Sequence, residues 1–135
     1  MGRCSLFAFM RTLIVPQTEV IFYKEDDKVP VREWLRSLPA KVGRKCLLYL
    51  DMLEQQGHEL RRPIADSLRD GIYELRPSFQ GVHYRILYFF AGRNVVVVSH
   101  GILKEAEVPA TEINRAVQRK QCFEADPEAH SYRRS

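Results

Sequence analysis

Arg76, Arg85, His100 and Lys104 sit at spacings that β-strands would turn into one shared face, with Glu74 beside them. All five lie in residues 70–104, DGIYELRPSFQGVHYRILYFFAGRNVVVVSHGILK, which reads as three consecutive strands joined by two tight turns. Like charges on adjacent strands repel and cost stability unless an anion or a carboxylate offsets them. A row of Arg76, Arg85 and His100 across a small sheet therefore points to an anionic partner. Each residue also has a purely structural reading. Glu74 and Arg76 could form a same-strand ion pair of little energetic consequence. His100 could be a satisfied, partly buried histidine, and Lys104 a strand-end charge.

The elements that must position these residues follow from periodicity and punctuation. Strands are expected at 71–77, 82–90 and 94–103. The turn AGRN suits a tight hairpin with Gly92 and Arg93 at its tip, which pairs Phe90 with Val95 and, by extension, Arg85 with His100. The longer turn around SFQG, with Ser78 opposite His83, sets Arg76 opposite Arg85. One face then carries Ile72, Glu74, Arg76, His83, Arg85, Leu87, Val96, Val98, His100 and Lys104. The other carries Tyr73, Leu75, Tyr84, Ile86, Tyr88, Phe90, Val95, Val97 and Leu103, and is apolar enough to pack on helices.

Upstream, EVIFYK at 19–24 alternates as a short strand, and Pro30 can open a helix running through Val31, Trp34 and Leu35 to about Leu38. Ser37 and Pro39 mark the next helix start. Val42, Cys46, Tyr49, Leu50 and Leu53 trace one face of it, and Gly57 supplies a C-terminal stop. Residues 58–70 read as a polar connection with at most one irregular turn. A final helix is expected at 109–122, with Ile113, Ala116 and Val117 inward. The fold class is α+β: a small antiparallel sheet with an N-terminal strand and a helix hairpin packed on one face, in the order β-α-α-β-β-β-α. Residues 19–122 form the domain. Residues 1–18 are expected to be a poorly ordered extension, with Met10 as an alternative start, and 123–135 a frayed tail.

Composition narrows the class. A chain of 135 residues supports one core. A net charge of +4 and a pI near 9.1 are compatible with a phosphate-rich partner without demanding one. The cysteines, Cys4, Cys46 and Cys122, are odd in number and far apart, so neither a disulfide framework nor a structural zinc is supported, and a cytoplasmic location is expected. The apolar runs before Val15 are too short to span a membrane.

The order DGIYELR, HYRILYFF, VVVSHGILK and PATEINRA resembles the RelE/ParE toxin superfamily, most closely its HigB-type, phage-derived branch. The likeness covers roughly residues 19–122. It implies the toxin of a type II toxin–antitoxin system: an mRNA endoribonuclease (mRNA interferase) that works on the ribosome, without a metal or other cofactor, by attack of a 2′-hydroxyl on the adjacent phosphate. Such chemistry needs cations around the phosphorane, a proton acceptor and a proton donor. The resemblance gives Arg76 and Arg85 the phosphate, His100 or Glu74 the role of base, and Lys104 or protonated His100 that of acid. Tyr84 or Tyr88 could stack a base, though their face makes them core residues. The implied partners are mRNA and an antitoxin, a helix-turn-helix protein bound to the basic face or the helix hairpin in a hetero-oligomer. Where many relatives carry two adjacent basic residues this chain has Lys104-Glu105. The contrasting reading is a non-catalytic binding protein of the same fold, either a decayed toxin that grips its antitoxin or a gyrase inhibitor.

Overall fold

A computed structural model describes residues 18–134. The expected extension at 1–18 lies outside the described residues except for Thr18. The described chain runs β1 (Glu19–Tyr23), α1 (Pro30–Ser37), α2 (Ala40–Gln56), a 3-10 turn (Gly57–Glu59), β2 (Ala65–Ser67), β3 (Ile72–Leu75), β4 (Ser78–Phe79), β5 (Val82–Phe90), β6 (Val95–Lys104), α3 (Ala110–Ala125) and β7 (Ser131–Arg133). The sheet order is β2-β3-β5-β6-β1-β7, with β4 paired to β5. All pairings are antiparallel except β1 with β6. This is the expected α+β fold with the expected order of main elements.

Helices cover both faces of the sheet. On one side Val42, Cys46, Leu50 and Leu53 of α2 recur every turn or so and bury against Val20, Phe22, Leu75, Ile86, Tyr88, Val96 and Val98. Pro30 opens α1 because its missing N–H would be unpaired there anyway. Trp34 of α1 then lies directly on the backbone of Gly101 in β6, where an added Cβ would overlap the indole. On the other side Ile113, Ala116 and Phe123 of α3 bury Tyr23, Ile72, Leu87, Phe89 and Val97. The face expected to carry the charges is thus covered by α3 over its apolar half and over His100. Its other charged residues are left at the far end, where β3 finishes and β5 begins. Being covered on both faces, β1 is buried at four successive positions, from Val20 to Tyr23.

The β5–β6 register differs from the sequence expectation. Phe90 pairs with Val96, not Val95, and Arg85 pairs with Ile102, not His100; the partner of His100 is Leu87. Two one-residue shifts cause this. The turn is one residue longer than assumed, closed by the Ala91 N–H donating to Val95 O at 2.8 Å, and a β-bulge inserts Ser99 between the Leu87 and Tyr88 rungs. Each shift exchanges the faces, so together they cancel beyond the bulge. His100 and Lys104 stay on the Arg85 face, whereas Val95 and Val97 turn to α3 and Val96 and Val98 to the helix hairpin. The SFQG register was legible: Ser78 pairs with His83, and the β3–β5 ladder continued by one residue sets Arg76 against Arg85.

Two further elements depart from expectation. Within the connection at 58–70, β2 pairs along β3, with Ala65, Asp66 and Ser67 facing Leu75, Glu74 and Tyr73. The expected frayed tail is ordered. The last helix continues to Ala125, and β7 pairs with β1, placing Tyr132 opposite Phe22. The segment is fixed because Tyr132 accepts a hydrogen bond from Arg32 Nη1 at 2.9 Å beneath its guanidinium, and His130 stacks on Tyr23.

Candidate active site

At the open end of the sheet Glu74 lies between two arginines. Arg76 Nη1 donates to Glu74 Oε2 at 2.7 Å, and Arg85 Nε stands 3.3 Å from Oε1. The second contact is misaligned, so Glu74 Oε1 and Arg85 Nε are buried without a hydrogen bond; Arg85 Nη1 donates instead to Tyr84 O at 2.7 Å. Side-chain exposure is 5% for Glu74 and 4% for Arg85 but 26% for Arg76, so only Arg76 of the three presents itself to solvent. Burial and the neighbouring Arg76 hold the Arg85 pKa below the usual arginine value, against the pull of Glu74.

Lys104 ends β6 on this same face, directly across from His83. His83 is exposed and Lys104 half-buried, and among the described residues neither takes part in a salt bridge or a side-chain hydrogen bond. His83 was placed on this face from its alternation but not counted as a site residue. Its pairing with Lys104 depends on a bulge that the sequence does not announce.

His100 belongs to a separate cluster. It stands two same-face rungs back along β6 from Lys104, about 13 Å at strand rise. There α3 covers it. Its Nε2 lies 2.9 Å from Glu112 Oε1 and its Nδ1 2.7 Å from Ser99 Oγ. A carboxylate only accepts, so Nε2 carries the hydrogen and Nδ1 accepts from the serine hydroxyl. Desolvation, with Arg119 nearby, pushes the His100 pKa down to about 4, and the opposing effect of Glu112 does not compensate. Arg115 also holds Glu112, at 2.9 Å, and Arg119 reaches Ser99 O at 3.3 Å. Glu112, Arg115 and Arg119 were not singled out from the sequence, although their spacing along one helix face was a signal available there.

Both candidate stacking tyrosines are core residues. Tyr84 packs edge-on to Trp34 at 6.3 Å, and Tyr88 lies flat on Tyr73 at 5.5 Å with its hydroxyl pKa raised by burial. The structure therefore divides the five sequence candidates. Glu74, Arg76, Arg85 and Lys104 share the open end, with His83 added, and His100 sits apart beneath α3.

A family model described as phage-derived protein Gp49-like (DUF891) matches residues 33–121, about two thirds of the chain. The chain belongs to that family. The Gp49-like family lies within the RelE/ParE-like toxin superfamily, so at family level the chain is consistent with the toxin of a toxin–antitoxin pair. No curated protein matches it. The Gp49-like segment contains Glu74, Arg76, His83, Arg85, His100 and Lys104, whereas β1 and β7 lie outside it. Among the described residues no helix is long and apolar enough to cross a membrane.

Proposed function

We propose that this Gp49-like protein is the HigB-type toxin of a type II toxin–antitoxin pair and acts in the cytoplasm as a ribosome-dependent mRNA endoribonuclease. The supporting observation is the unneutralised positive charge at the open end of the sheet. Glu74 cancels one of the two guanidinium charges, leaving the Glu74–Arg76–Arg85 group at a net positive charge, to which Lys104 adds. That suits a phosphorane dianion.

In the reaction the 2′-hydroxyl oxygen bonds to phosphorus as the bond from phosphorus to the 5′-oxygen breaks. A 2′,3′-cyclic phosphate and a free 5′-hydroxyl result. The 2′-proton leaves to a base, and the departing oxygen takes one up. The nucleophile is the substrate's own hydroxyl, so the protein supplies charge, geometry and proton carriers. Arg76 contacts the phosphate with its planar fork. Arg85 acts from beneath, where burial leaves its field less screened. Lys104 protonates or neutralises the leaving oxygen, and His83 across from it accepts the first proton. Glu74 is a positioning residue that aims Arg76. Both ring nitrogens of His100 are engaged and the ring is neutral at pH 7, which favours a positioning role for it over that of acid or base.

Induced expression followed by primer extension on mRNA tests the reading. Wild type should arrest translation with cuts inside codons. Arg76→Ala or Lys104→Ala should reduce cutting about 10²–10³-fold while the protein remains folded. Intact mRNA, or undiminished cutting by folded Arg76→Ala, would refute it. A helix-turn-helix protein encoded beside this gene and co-purifying with it would identify the antitoxin. The burial of Arg85 and Glu74 favours a second reading, a decayed toxin or gyrase inhibitor that binds without cutting. Toxicity with intact mRNA and DNA-damage signalling would mark the gyrase case, and no toxicity the decayed one.

A further inference from the structure

On the helix-hairpin side, at the β2 edge of the sheet, a cleft of about 540 Å³ opens between the 3-10 turn and strands β2 and β3. Its size is within the ~300–1,000 Å³ range of small-ligand sites. One wall is aromatic and already ordered. The ring of His58 lies flat on Phe90, with centroids 3.6 Å apart and planes 14° apart. Tyr73 lies flat on Tyr88 and meets Phe90 edge-on at 5.2 Å. The inner rings, Tyr88 and Phe90, belong to the core, so the outer ones are held in place by packing and little rotamer freedom remains to be lost on binding. His58 is exposed, and with one ring face on Phe90 it offers the other to solvent.

The rim is cationic. Arg62 is held by Asp66 at 2.7 Å, whereas Arg61, also lining the cleft, makes no salt bridge among the described residues. A flat aromatic surface beside an unpaired guanidinium matches a nucleobase joined to a phosphate. Tyr73 and Glu74 alternate, so the cleft lies on the hairpin face and the Glu74–Arg76 pair on the α3 face. Both reach the β2 edge, where Asp66 faces Glu74 in the ladder, and a strand rounding that edge meets both.

We propose that this cleft is a nucleotide subsite, with the base stacked on His58, its edge toward the Tyr73 ring, and the phosphate held by Arg61. Resting on the RNA reading above, it takes a nucleotide flanking the scissile phosphate as the strand passes over β2. The same chemistry would also bind a free mononucleotide.

The test measures binding of a fluorescent single-stranded RNA decamer and of AMP to the full chain and to His58→Ala, His58→Phe and Arg61→Ala. Aromatic NMR shifts report contact at His58 and Tyr73, and melting curves confirm folding. His58→Ala and Arg61→Ala should each weaken RNA binding by about tenfold or more, whereas His58→Phe, which keeps a stacking ring, should bind nearly as wild type. If wild type binds RNA and both alanine variants bind it equally well, the subsite is overturned, whereas the ribonuclease reading stands or falls separately on the primer-extension result. If RNA is neither bound nor cut but AMP shifts the His58 and Tyr73 resonances, the subsite stands with a free nucleotide as its ligand. If neither probe perturbs those resonances, it is overturned.

Discussion

Removing the buried histidine should flatten the acid limb of the stability curve. His100 is only 6% exposed, and its pKa falls from the ordinary 6.5 to about 4. As the pH drops through 6.5 the unfolded chain protonates this side chain, but the folded protein does not until about pH 4. Between those limits the unfolded state holds more protons, so stability is complete above 6.5 and is lost as the pH falls. The loss is up to about 1.4 kcal/mol per pH unit and about 3 kcal/mol across the window. Below pH 4 both states carry the proton and the contribution stops changing. Urea unfolding at half-unit steps from pH 7.5 to 4, on wild type and His100→Gln, isolates it, since the carboxylates titrate in both proteins. Wild type should lose more than the variant by about 3 kcal/mol. Parallel curves would refute the claim that burial beneath α3, with Arg119 nearby, holds the ring neutral, and a wild type that gains on the variant in acid would reverse its sign.

Glu74→Gln should cost about 3–5 kcal/mol in urea unfolding, because Arg85 would then be buried without its counter-charge. Adding Arg85→Met should restore much of that loss, and a double mutant no better than Glu74→Gln would show that the pair is not coupled. Gly101→Ala should lower stability by about 1–3 kcal/mol and shift the Trp34 emission, since the new methyl would overlap the indole. Truncation after Asp126 removes β7 and bares the outer edge of β1, so light scattering should detect self-association absent from the full chain. A truncated chain that stays monomeric would show that β7 is not what shields that edge.

The sequence was legible where residue types alternate or punctuate. Pro30, Pro39 and Gly57 bracket the helix hairpin at the places where α1 and α2 begin and end. The mixed polar and apolar residues of β3 and β5 fixed their faces, including Glu74, Arg76 and Arg85. Legibility failed at Val95–Val96–Val97–Val98, since four identical β-branched residues carry no period-two information and the bulge at Ser99 leaves no mark in composition. Lys104 kept its face only because two shifts cancelled. The cover over His100 was unreadable for another reason: it depends on where α3 docks, and the apolar pattern of the strands points only one face of the sheet toward helices. β7 was missed because its Ser131–Tyr132–Arg133 run looks polar. What fixes it is the partnership with Arg32 and β1, far away along the chain.

The pairing of β1 sets a chronology for the folding chain. The β3–β5 and β5–β6 hairpins close between near neighbours, so their entropic cost is small and they can form early. Glu19 finds its parallel partner only when Val95 exists, and β7 then needs β1 in place. On the ribosome this leaves EVIFY, the most thoroughly buried strand of the fold, exposed until most of the polypeptide has been made. The arginine-bearing end of the sheet can thus take shape before the centre of the molecule is sealed.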